Sequence, residues 1–138
     1  MRIFFSILSI VYIAGIFLFA GSSVVSDLSP FNPYSLLHIP LYGILTILLI
    51  LSLVPITQLP NYLITRFLVV GFIALIVAIA DEMHQAYVPG RDASVTDVLL
   101  DFVGIILVLF LFFRLFLRCG RIIQVNHFEN YLLSLCFF

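Results

Sequence analysis

Four apolar segments, each about 20 residues long, constrain this chain more than any other feature of its sequence. They lie at about 3–20, 36–56, 62–80 and 98–118. An α-helix of about 20 residues spans the ~30 Å hydrocarbon core of a bilayer. Only 9% of the 138 residues are charged, whereas a soluble domain carries about a quarter. The sequence therefore predicts an all-α integral membrane protein, folded as a four-transmembrane-helix bundle.

The first segment has a second interpretation, as a cleaved signal peptide. Arg2 and the small residues "GSS" at 21–23 fit that interpretation. The apolar run is longer than the ~7–15 residues of a typical signal core, however. We therefore favour an uncleaved first span.

The arginines predict the orientation, because cytoplasmic loops of membrane proteins are enriched in basic residues. The chain has six basic residues and all are arginines. Five fall on one side of a four-span topology, namely Arg2, Arg66, Arg114, Arg118 and Arg121. Arg91 alone falls on the other side. Both termini are thus predicted to be cytoplasmic (N-in/C-in), with a membrane domain at 1–118 and a cytoplasmic or interfacial tail at 119–138.

The stretch "DEMHQAYVPGRDASVTD", residues 81–97, concentrates polar side chains between the third and fourth spans. In the predicted topology it shares the extracytoplasmic end of the bundle with the start of the second span and the start of the fourth. Polar groups far apart in sequence therefore converge at one depth. The candidate ligand-binding residues are His38, Tyr42, Asp81, Glu82, His84, Gln85, Arg91, Asp97 and Asp101.

Local spacing adds detail to this prediction. Asp97, Asp101 and Gly104 follow one another at i, i+4 and i+7, which places them on one face of a helix. Gly104 would allow a second helix to approach closely below the two carboxylates. Gly90, after a proline, would form the turn that ends the third helix. Ser94 or Thr96 would cap the fourth helix, with Asp97 in its first turn.

The charges of this region require partners. Residues 81–101 contain five carboxylates and one arginine, and we expect Arg91 to pair with Asp97, Asp81 or Glu82. Asp101 lies within a span, where an ionisable residue suggests a functional site.

Each candidate residue also has a purely structural interpretation. Asp97 could be only a helix cap, for example, and His38 only a hydrogen-bond donor inside the bundle.

The same stretch resembles the signature of VanZ-like membrane proteins. In "DEMHQAYVPGRDASVTDVLLDFVG" it follows roughly the pattern D-E-x-x-Q-x-x-x-x-G-R and then D-x-x-x-N-x-x-G. "HIPLY" supplies the His and Tyr that the family carries on its second span, and the resemblance extends from Arg2 to about Arg118. Asp101 stands where Asn is common, and Tyr34 and Ser35 stand where Asp-Lys often precedes the His. The resemblance implies a multi-pass protein of the bacterial cytoplasmic membrane, in a family whose name-giving members are linked to teicoplanin resistance.

Three classes of function remain open at this level. The first is a site that binds a lipid-linked cell-wall precursor or a lipoglycopeptide, with membrane lipids as further partners. The second, which we favour less, is an intramembrane enzyme on an envelope lipid, with Glu82 or Asp97 as general base together with His38 or His84, or with a divalent metal held by these carboxylates and histidines. No catalytic residue can be assigned. The third is a structural membrane subunit held together by the polar residues.

The sequence also disfavours several partners. "DEMHQ" is not the two-His zinc pattern, and we predict neither a metal nor a cofactor. A net charge of −1 offers no basic field for nucleic acid.

Overall fold

The computed structural model describes residues 2–20, 36–54, 60–88 and 94–136, with side chains described for 2–20, 36–54, 62–88 and 94–118. These residues form four helices, which we number in chain order: α1 Arg2–Ala20, α2 His38–Leu53, α3 Pro60–Gln85 and α4 Val95–Cys136. The described ranges contain no β-strand. The predicted all-α membrane bundle of four helices is confirmed.

The helices differ in how far they could extend across a membrane. Arg2–Ala20, Tyr62–Gln85 and Val95–Arg118 are long and apolar enough to cross, with mean hydropathies of 2.5, 2.6 and 2.6. The 16 residues of α2 reach about 24 Å, roughly 6 Å less than the hydrocarbon thickness. By length alone, α2 is therefore too short to cross the hydrocarbon layer as a straight helix.

The polar connection is more helical than its composition indicates. α3 continues past residue 80 to Gln85, which carries the acidic residues onto a regular helix. α4 begins at Val95 because Ser94 caps it: the Ser94 hydroxyl oxygen accepts the backbone N–H of Thr96 at 3.2 Å. Asp97 lies in the first turn, where the positive end of the helix dipole stabilises its carboxylate. At its other end α4 extends beyond 118 to Cys136.

α2 and α3 are the two central helices, since each of them contacts the other three helices. The buried face of α3 shows how the core leads to the polar end. Val70, Ala74 and Ala78 are fully buried, and the same helical stripe continues with Asp81 and Gln85. The two polar side chains therefore face the interior of the bundle and not the lipid.

Glycines bring α2 and α4 together immediately beside His38. A Cβ atom added at Gly104 would collide with the carbonyl oxygen of Ile39. A Cβ added at Gly43 would lie 3.5 Å from Val108 and 4.0 Å from the Gly104 carbonyl oxygen. Small residues at helix crossings allow this close backbone approach inside membranes.

Basic and acidic residues occupy opposite ends of α2. Arg2 donates through Nε to the Ser52 carbonyl at 3.2 Å, and Arg66 donates through Nη1 to the Leu53 carbonyl at 3.4 Å. These carbonyls end α2 and carry the negative end of its dipole. The acidic residues meet at the other end, where His38 begins the helix. The membrane sidedness of the two ends remains a prediction from the sequence.

Candidate functional site

Polar side chains from three helices meet at the His38 end of α2. We call this group the acidic cluster; its members are His38, Tyr42, Asp81, Glu82, Gln85, Asp97 and Asp101. Asp101 is 0% exposed, Asp81 2% and Glu82 5%. Carboxylates this deeply buried require partners, because a buried unpaired charge is costly.

The centre of the acidic cluster is a pair between α2 and α4. The Nδ1 atom of His38 lies 2.9 Å from Oδ1 of Asp101. Gly104, one turn beyond Asp101, allows α2 to come close enough for this contact. The second oxygen of Asp101 is buried and has no hydrogen-bond partner among the described residues.

Asp81 is held by two donors. The Tyr42 hydroxyl donates to Oδ2 of Asp81 at 3.4 Å, and Nε2 of Gln85 donates to the same oxygen at 3.0 Å. Tyr42 is 0% exposed and its backbone carbonyl accepts the Thr46 hydroxyl at 2.7 Å. Tyr42 therefore belongs to the core beneath the acidic cluster and is not an interfacial aromatic.

Glu82 joins the end of α3 to the start of α4. Its Oε2 atom accepts the backbone N–H of Ser94 at 2.9 Å, just ahead of the first turn of α4. Its Oε1 atom is buried without a hydrogen-bond partner among the described residues. One donor atom each of His38, Glu82 and Asp97 lie within 4.8 Å of one another.

The remaining sequence candidates lie apart or outside the described residues. His84 is half-buried, and its ring packs edge-on against Phe17 of α1 with centroids 5.6 Å apart. Gly90 and Arg91 lie outside the described residues, so the pairing of Arg91 with a carboxylate stays a prediction. The His38–Asp101 contact is an ion pair when His38 is protonated.

A groove between α1 and α2 leads to the acidic cluster. Its volume is about 620 Å³, and its lining is apolar except near one end, where His38, Asp81 and Gln85 contribute. Val11 and Ile44 line it and are 60% and 47% exposed, so the groove opens on the lipid-facing surface.

Sequence reasoning missed the contribution of α1 to this groove. A Cβ added at Gly15 would meet nothing within 4 Å, so the absence of a side chain there enlarges the groove. Tyr12, beside it, donates its hydroxyl to the Leu41 carbonyl at 3.1 Å. Tyr12, Gly15, Ile16 and Phe19 share one face of α1 at i, i+3, i+4 and i+7, but the sequence does not show which face of α1 meets α2.

A comparison with protein families identifies the family of this chain. The family model described as VanZ/LLP1 matches residues 4–118, which include α1, α2, α3 and the part of α4 that carries the acidic cluster. No curated protein and no solved structure matches the chain significantly. The family match covers most of the chain, including both helices that line the groove. The chain therefore belongs to the VanZ-like family of membrane proteins.

Proposed function

We propose that this VanZ-like protein binds an amphiphilic molecule of the cell envelope, with its apolar chain in the groove and its polar head at the acidic cluster. The observation that carries the proposal is the groove itself. It opens on the lipid-facing surface at Val11 and Ile44 and reaches His38, Asp81 and Gln85. A volume of about 620 Å³ is within the ~300–1,000 Å³ of ligand-binding cavities.

The apolar chain alone would give little selectivity. A lipid tail leaves surroundings as apolar as the groove, so its transfer gains little from the hydrophobic effect. Selectivity must come from the polar head, which replaces water or weak contacts with hydrogen bonds in a buried setting. The position of Asp81 and Gln85 at one end of the groove provides those contacts.

The acidic cluster favours a head rich in O–H and N–H donors. Carboxylate oxygens accept hydrogen bonds, as does the carbonyl of the Gln85 amide. Arg2 and Arg66 donate at the opposite end of α2, and Arg114 lies over the ring of Phe110. Sugar hydroxyls, peptide amides and amines are the matching donors. A lipoglycopeptide carries such groups next to its apolar chain, whereas a lipid-linked cell-wall precursor carries them on the sugar and peptide beyond the diphosphate that follows its chain.

With the N-in/C-in orientation predicted from the arginines, this head site faces the extracytoplasmic side of the bacterial cytoplasmic membrane. Both kinds of ligand reach that leaflet. Binding of either one would let the protein contribute to teicoplanin-type glycopeptide resistance, the role that the family resemblance implies.

Filling the groove tests the proposal. We expect Gly15→Leu to weaken amphiphile binding by about tenfold or more, equivalent to about 1.4 kcal/mol, because the new side chain enters the open space. Ala14→Leu is the matched control: it adds the same side chain one residue away, at an exposed position that does not line the groove. Binding would be measured on purified protein in nanodiscs, separately with a labelled polyprenyl-linked cell-wall precursor and with labelled teicoplanin.

The two labelled ligands show which kind of head group the protein binds. The two variants show whether binding takes place in the groove. Equal affinities of Gly15→Leu and Ala14→Leu for both ligands would contradict binding in the groove. A polyprenyl phosphate without sugar or peptide provides the test of head selectivity, and we expect it to bind more weakly than the complete precursor.

A further inference from the structure

Three members of the acidic cluster meet on the side of His38 that faces the junction of α3 and α4. Here His38, Glu82 and Asp97 each come from a different helix, and one donor atom of each lies within 4.8 Å of the other two. If a tetrahedral ion lies about 2.1 Å from each donor atom, the donor atoms are about 3.4 Å from one another. The three donors, which lie within 4.8 Å of one another, would have to approach by up to about 1.4 Å to bind the ion.

The state of Glu82 points independently to a cation at this position. Glu82 is 5% exposed, and its Oε2 atom is already engaged with the Ser94 N–H at 2.9 Å. Its Oε1 atom is buried and has no hydrogen-bond partner among the described residues. A buried carboxylate oxygen is stable when a hydrogen-bond donor or a cation satisfies it.

His38 is oriented as a metal ligand would be. The contact of Nδ1 with Asp101 at 2.9 Å fixes the plane of the ring and leaves Nε2 for a ligand. A metal-bound histidine usually donates its other ring N–H to a carboxylate in this manner, which orients the ring and increases its basicity. Asp101 would thus act through His38, as a positioning residue.

The donor types select the class of ion. One imidazole nitrogen and two carboxylate oxygens suit Zn²⁺ or Mn²⁺, whereas Ca²⁺ and Mg²⁺ favour sites made of oxygen alone. We propose that His38, Glu82 and Asp97 bind one divalent transition-metal ion, zinc or manganese, with Asp101 orienting His38. The sequence favoured a site without metal; the structure brings together one donor atom from each of three helices.

Metal content of the purified protein is the test. After chelation and dialysis in detergent, we expect Zn²⁺ or Mn²⁺ to rebind at about one ion per chain, measured by elemental analysis and titration calorimetry. Glu82→Gln and Asp97→Asn should each weaken binding by at least about tenfold. Asp101→Asn should weaken it by about 10–100-fold, the usual effect of changing a carboxylate that orients a metal-bound histidine. His84→Ala is the control, because it removes another histidine at the same end of the bundle without removing a proposed ligand.

A spectroscopic measurement separates ligation from loss of fold. Co²⁺ bound to the wild type should show visible ligand-field absorption that changes in His38→Ala while the circular dichroism of the helices stays the same. Arg91→Ala should retain the ion, since Arg91 is not a ligand. The proposal is overturned if folded wild-type protein binds neither Zn²⁺ nor Mn²⁺, or if Glu82→Gln and His84→Ala bind them equally well.

Discussion

Replacing Gly104 by alanine should destabilise the bundle by about 1–3 kcal/mol, the usual cost of forcing extra volume into a packed interface. The added Cβ would collide with the backbone carbonyl of Ile39. Backbone atoms cannot rotate away as a side-chain end can, so α2 and α4 must separate. Because His38 precedes Ile39 and Asp101 lies one turn before Gly104, the separation should also lengthen the His38–Asp101 contact.

Substitutions at two other glycines test whether close backbone approach causes the loss of stability in Gly104→Ala. At Gly71 the nearest atom to an added Cβ is the end of the Leu109 side chain at 2.9 Å, which can move, so Gly71→Ala should cost less. At Gly15 nothing lies within 4 Å, and Gly15→Ala should be neutral or stabilising by about 0.5–1 kcal/mol. Unfolding free energies in detergent micelles provide the comparison. Equal losses at all three positions would show that the helix crossing at Gly104 is not as tight as described.

Asp101→Ala should be the most destabilising single change in the acidic cluster. Removing one partner of a buried charged pair typically costs about 3–5 kcal/mol, because the other partner stays buried without compensation. His38 would be that partner, with its Nδ1 atom deprived of the 2.9 Å contact. Asp101→Asn keeps an oxygen that accepts from Nδ1 and removes a buried charge, so we expect a change of less than about 1 kcal/mol. The family resemblance favours the same result, since Asn is common at this position.

A double-mutant cycle isolates the pair. If the contact exists, Asp101→Ala should cost much less in a His38→Ala background, with a coupling of about 1–3 kcal/mol. The unfolding free energies of the wild type, the two single variants and the double variant give this quantity directly. Additive losses would mean that His38 and Asp101 act separately.

Much of the fold follows from the sequence because the signals are local. Long apolar runs fix the number of helices, and short connections make neighbours antiparallel. That topology is sufficient to bring His38, Asp81 and Asp97 to one end of the bundle. The spacing of Asp101 and Gly104 also indicates which face of α4 meets another helix.

The remaining features depend on helix rotation, which the sequence does not reveal in a membrane. Lipid and protein interior are equally apolar, so Val11, which is exposed, and Ile16, which is buried, look alike in sequence. The groove along α1 is therefore not predictable from hydropathy. The His38–Asp101 contact joins residues 63 positions apart, and it depends on how α2 rotates against Gly104. The length of α2 is equally hidden, since its apolar run extends beyond the helix that forms.

Photochemical cross-linking tests most directly the central claim that the groove and the acidic cluster form one binding site. A precursor analogue with a photoreactive group in its apolar chain would be bound to the protein in nanodiscs, and its adducts mapped by mass spectrometry. The groove predicts adducts concentrated at Tyr12, Leu41 and Ile44, and their loss in Gly15→Leu. Adducts distributed equally over outward-facing residues such as Phe110, with no effect of Gly15→Leu, would contradict it.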